Sequence, residues 1–132
     1  MSGEADIIGA FNELPALLRA DPALVARGEH LNADCVLGSK ANAFHVCFAA
    51  GQIVELKPAP ILMRSWSFSY RASATAWTEF WKPMPRPGWH DLLALTKNGE
   101  AVLEGDLLPF MTHLQYFKDV LALPRAKIGA EA

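Results

Sequence analysis

His45 and Cys47 stand two residues apart in an alternating stretch that reads as a strand, so both side chains can face one ligand. An imidazole beside a thiol is the start of a metal site, or of a nucleophile with its base. His30 and Cys35 are five apart and face opposite sides of a strand. No His-x-x-x-His or Cys-x-x-Cys occurs. Zinc needs three or four ligands in tight geometry, so the sequence predicts no metal site. No base is placed for Cys47 by the sequence, and it reads as a small buried hydrophobe. Adjacent helical residues diverge by about 100°, so His90 and Asp91 read as a cap for the helix after Gly88 rather than a catalytic pair. There is no Gly-x-Ser-x-Gly, phosphate loop or dinucleotide fingerprint. No catalytic residue and no cofactor is predicted.

The other chemistry the chain can do is apolar. Trp66, Phe68, Tyr70, Trp77, Phe80, Trp81 and Trp89 fall in one stretch. Each such ring buries about 150–250 Å², so these residues fill an ordinary core or line a ligand cavity. A later stripe (Leu107, Phe110, Met111, Leu114, Phe117, Leu121) is amphipathic at helical spacing. Within it Phe110, Met111, Leu114 and Phe117 join the seven rings as candidate ligand contacts, Met111 as a flexible gap filler. Lipids are held by apolar pockets with few polar groups, and each buried CH₂ is worth about 0.8 kcal/mol. A carboxylate or hydroxyl head can meet Arg64, Arg71 or Arg86 at an entrance.

The elements that must position these residues read as follows. Ile7, Ile8, Phe11 and Leu14 recur at helical spacing, and Pro15 kinks that helix or starts a second piece. Asp21-Pro22 starts another helix as N-cap and first residue, and Gly28 stops it. Leu31, Ala33, Cys35 and Leu37 alternate as in a half-buried strand. Strands at 44–49 and 53–56 flank Ala50-Gly51-Gln52, which suits a hairpin, and Pro58 and Pro60 end it. Trp66, Phe68 and Tyr70 point one way along a strand over 65–71, with Ser65, Ser67, Ser69 and Arg71 toward water. Thr75 reads as the N-cap of a short helix. Pro83, Pro85 and Pro87 make a rigid loop. A short helix over 89–97, the turn Asn98-Gly99, a strand at Ala101–Gly105, an Asp106 N-cap and a closing helix over 107–123 complete the chain. Pro109 is tolerated in that helix's first turn.

Partly segregated strands and helices argue for an α+β fold, a mainly antiparallel five-stranded sheet with helices packed on one face. At 132 residues the chain reads as a single domain, 1–132. Twelve Lys and Arg against fourteen Asp and Glu leave a net charge of −2 with no basic block, which argues against nucleic acid. The acidic N-terminus has no signal-peptide pattern, and no run of about 18 apolar residues predicts a membrane span. The expectation is a reduced, cytoplasmic protein.

The run from Gly88 through Asp106, with Asn98-Gly99 before the strand and Gly105-Asp106 after it, resembles the C-terminal signature of the sterol carrier protein type-two (SCP2-like) lipid-transfer family. The closing helix and the hairpin around Gly51 fit that family's order. Glu100 and Glu104 stand where the family carries Lys. The resemblance implies a five-stranded sheet covered by helices, an apolar tunnel for a fatty acyl chain or sterol-like lipid, and no catalytic constellation. The implied partner is an apolar small molecule; a homodimer is left open. The alternative is a small cone-shaped α+β enzyme, an isomerase or hydrolase on a hydrophobic substrate, with Asp34 and His45 as its in-strand candidates. That fold ends in curved strands, whereas this chain ends in a helical pattern.

Overall fold

The computed structural model describes residues 4–58 and 65–125. Helix α1, Glu4–Arg19, buries Ile7, Ala10, Phe11, Leu14 and Leu18 along one stripe. It runs through Pro15 as one element, where a kink or new start was expected. Leu14 and Leu18 are both buried, so packing holds the two halves in line despite the missing N–H. Helix α2, Pro22–Arg27, begins as the sequence predicts: Asp21 Oδ1 accepts from Leu24 N at 3.2 Å, and Gly28 ends it.

Strands β1 (Asn32–Ser39), β2 (Ala43–Ala49) and β3 (Gln52–Pro58) form an antiparallel meander. Ala50 and Gly51 carry positive φ (52° and 82°), so the β2–β3 connection is a two-residue mirror-image turn whose twist suits a hairpin. Strand β4, Phe68–Ala72, pairs parallel with β1, and β5, Ala101–Gly105, pairs antiparallel with β4. The order is β3-β2-β1-β4-β5. The sheet is therefore mixed, mainly antiparallel with one parallel pair at its centre. The parallel pair arises because β4 docks beside β1 rather than on the free edge of β3, so the chain crosses between them. Part of that crossing, with Arg64 and Pro60, lies outside the described residues.

Helix α3 (Ala74–Phe80) is capped by Ser73, not Thr75: Ser73 Oγ accepts from Ala76 N at 3.1 Å. Helix α4, Leu92–Lys97, is capped by Asp91. The closing stretch is two helices, α5 (Leu107–Thr112, capped by Asp106) and α6 (Leu114–Leu121), where one was expected. His113 leaves helical dihedrals at φ −114°, ψ 32°, and the break re-aims the stripe. Phe110, Tyr116, Phe117, Val120 and Leu121 stay buried, whereas Leu107 and Met111 turn outward.

One sheet face carries Cys35, Leu37, Phe44, Val46, Phe48, Ile53, Phe68 and Tyr70 into a core shared with residues from all six helices. The other face was expected to meet water. Its centre does not: Val36, His45 and Ser69 are buried, and Ser69 Oγ finds no hydrogen-bond partner among the described residues. His45 Nε2 lies 3.1 Å from Ser65 O, so the backbone just before β4 meets this face at His45.

Candidate functional site

The predicted ligand contacts fall into three groups. Phe68, Tyr70, Trp77, Phe80, Trp81, Phe110 and Phe117 are buried and meet one another. Phe110 stacks on Tyr70 and Phe117, with Phe68 edge-on to both Phe110 and Phe117. Trp77 stacks on Trp81 at 5.1 Å between centroids and meets Tyr70 and Phe80 edge-on. Phe11 and Phe44 extend this cluster at the tryptophan end, and Phe48 extends it beside Phe117. These three rings belong to the cluster but were not singled out in the sequence; their signal was burial periodicity in α1 and β2. Leu114 and Trp89 are half-buried against the core, with Arg86 over the Trp89 ring. Trp66 and Met111 are exposed, at 41% and 47%. Trp66 precedes β4 instead of lying in it.

Polar handles divide the buried rings into fixed and movable ones. Tyr70 Oη donates to Leu92 O at 2.7 Å, Trp77 Nε1 to Gly38 O at 2.9 Å, and Trp81 Nε1 to Leu121 O at 2.7 Å. Tyr116 Oη donates to Gly51 O at 2.5 Å. Breaking any of these while the ring stays buried leaves its O–H or N–H donor unpaired, at about 1–3 kcal/mol. Burial, with the Asp91 charge adding to it, pushes the Tyr70 hydroxyl well above its ordinary range; burial pushes Tyr116 up to about 12. Both remain donors near neutral pH. Phe48, Phe68, Phe110 and Phe117 have no such tie and are held by packing alone.

Beside them the surface is apolar. Leu107 and Met111 on α5 are exposed, and Leu108 is 71% exposed. Asp106 N donates to Ser67 O at 2.7 Å, which sets Trp66 in the chain next to the start of α5. Of the head-group candidates, Arg71 pairs with Glu104 at 3.1 Å and Arg86 with Glu79 at 2.9 Å; Arg64 lies outside the described residues. Asp34 and His45 do come close, with Cys47, but on the sheet face away from the rings. A hydrophobic substrate among the rings would not meet that acid–base pair, so the cone-shaped enzyme reading loses its residues.

A five-stranded mixed sheet in this order, closed by helices on one face, is the SCP2-like fold, and three solved structures share it. Sterol carrier protein 2 matches with a TM-score of 0.68 and 14% identity, over 89% of this chain and 94% of that one. A conserved hypothetical protein from Thermus thermophilus, described as a candidate sterol carrier protein, matches at 0.59 and 15%, over 92% and 87%. The ubiquinone synthesis protein UbiJ-SCP2 matches at 0.57 and 20%, over 90% of each chain. No protein-family model and no curated protein matches the sequence. At these identities the likeness establishes the fold. No helix among the described residues is long and apolar enough to cross a membrane.

Proposed function

We propose that this protein binds an apolar lipid, an acyl chain or a sterol-like molecule, between the helix-covered sheet face and helices α5 and α6, as a carrier or presenter. The observation that carries the reading is the group Phe48, Phe68, Phe110 and Phe117: large, buried, untethered rings beside a short helix with exposed leucines. A ligand enters by displacing rings rather than breaking polar ties. Withdrawing a phenylalanine from a core costs about 3–5 kcal/mol. Burying a sixteen-carbon chain gains on the order of 12 kcal/mol at about 0.8 per CH₂. The gain matches the cost of displacing about three such rings. The fixed rings Tyr70, Trp77 and Trp81 form the wall against which the chain stops. The lipid-carrier names of two of the structural relatives support the same reading.

Titration with a fluorescent fatty acid tests it. Saturable binding accompanied by a change in tryptophan emission is the expected result. No saturable binding, with the protein shown to be folded, contradicts the proposal.

A further inference from the structure

On the sheet face opposite the rings, Asp34, His45 and Cys47 each place a ligating atom within 4.8 Å of the others. We propose that this cluster is a binding site for a divalent transition-metal ion of the zinc type. Three features of the backbone build it. His45 and Cys47 share a face because they are two apart on β2, and Asp34 on β1 stands directly opposite Cys47. The β2–β3 register shifts between Cys47 and Phe48, which sets Glu55 opposite Cys47 on the other side, its Oε1 3.8 Å from the sulfur. The His45 ring is oriented from behind. A carbonyl oxygen only accepts, so Nε2, 3.1 Å from Ser65 O, carries the proton. In the neutral ring that leaves the Nδ1 lone pair directed at the cluster. A ligating histidine held by a carbonyl on its other nitrogen is the usual supporting arrangement of metal sites.

The spacing suits a tetrahedral ion. Bonds of about 2.3 Å to sulfur and about 2.0 Å to nitrogen hold those two atoms about 3.5 Å apart. Here Cys47 Sγ and His45 Nδ1 are 3.8 Å apart. A thiolate, an imidazole and a carboxylate together favour zinc or a related transition ion over magnesium or calcium, which prefer all-oxygen sites. The Cys47 thiol gives up its proton as the metal–sulfur bond forms. Three protein ligands leave a fourth position for water or for Glu55.

Cobalt(II) is the probe, added to the full chain after treatment with a chelator. The expected result is one equivalent bound, with a thiolate-to-cobalt charge-transfer band and the intense visible bands of tetrahedral cobalt, and competition by zinc. Cys47→Ser abolishes the charge-transfer band, and Asp34→Asn, at an exposed position, raises the cobalt Kd at least tenfold. Cys35→Ala leaves the band in place, because that thiol faces the core. Circular dichroism establishes that each variant is folded; if Cys47→Ser does not fold, the Asp34→Asn affinity decides. Absence of a band at tenfold excess of cobalt overturns the proposal. So does a band that survives Cys47→Ser, or a Kd that Asp34→Asn leaves unchanged. Fatty-acid binding lies on the other face and is expected to be the same with and without metal.

Discussion

Lys118 Nζ lies 2.6 Å from Asp91 Oδ1 and joins α6 to the start of α4. The second carboxylate oxygen of Asp91 accepts from Leu93 N and Ala94 N, at 3.2 and 3.3 Å. Burial alone would raise the Asp91 pKa. The hydrogen bond and charge of Lys118, with the two backbone N–H groups, outweigh it and hold the carboxyl below its ordinary value. This contact ties the closing helix to α4, where Leu92 O accepts from Tyr70.

Asp91 therefore makes part of the stability depend on pH. Its folded pKa is depressed, so its contribution is complete above the unfolded value, about 3.9, and is lost as pH falls through the lower folded value. Thermal unfolding of the natural chain is expected to lose stability as pH drops below about 4. Asp91→Asn keeps a cap acceptor but removes the charge, and is expected to be less stable at neutral pH and to lack that part of the acid decline. Parallel acid declines in both proteins would contradict the assignment.

The β2–β3 turn makes opposite predictions at neighbouring positions. Ala50 is a non-glycine residue at φ 52°. Ala50→Asn creates the Asn-Gly pair this turn favours and is expected to gain about 0.5–1 kcal/mol. At Gly51 an added Cβ would overlap Val25 O and sit 2.9 Å from Gly28 C, both backbone atoms. Gly51→Ala is expected to cost more than about 2 kcal/mol. Urea unfolding of the two variants checks both signs.

Phe110→Ala removes a ring held only by packing. Without lipid it is expected to lose about 3–5 kcal/mol of stability. It also removes the ring a lipid must displace, so fatty-acid affinity is expected to rise and bound lipid to restore part of the lost stability. Calorimetric unfolding with and without fatty acid measures both. A destabilised variant with unchanged affinity would place the lipid elsewhere.

Leu108 is exposed on α5, its backbone N donating to the Asp106 cap and its side chain facing outward. Leu108→Glu is expected to change stability by less than about 0.5 kcal/mol. If α5 is where lipid enters, the variant slows transfer of a fluorescent fatty acid between vesicles without changing equilibrium binding. An unchanged transfer rate would remove α5 from the path.

What the sequence revealed was local. Asp21-Pro22 with Gly28, the Ala101–Gly105 strand and the Asp106 cap each depend on a few neighbouring residues and were read correctly, as was the hairpin around Gly51, except that Gln52 belongs to β3 and the turn has two residues rather than three. The parallel pairing of β4 with β1 depends on residues more than thirty apart and leaves no local trace. His113 breaks the closing helix with neither proline nor glycine to announce it, and so Leu107 and Met111 were placed on the inner stripe. The contact of His45 with Ser65 O spans twenty residues, and period-two alternation cannot register it. The aromatic cluster was legible in part: Trp66 is exposed, and Phe11, Phe44 and Phe48 were not singled out; which rings are tied and which are free is decided by carbonyls of Gly38, Leu92 and Leu121, distant in sequence.

Native mass spectrometry of the protein as purified from cells, followed by solvent extraction of whatever it carries, tests lipid binding most directly. The expected result is a fraction of molecules with one added mass, released on extraction as an acyl lipid or a sterol-like compound, and a bare fraction that takes up one added fatty acid. A protein that is bare throughout and stays bare in excess fatty acid would contradict it.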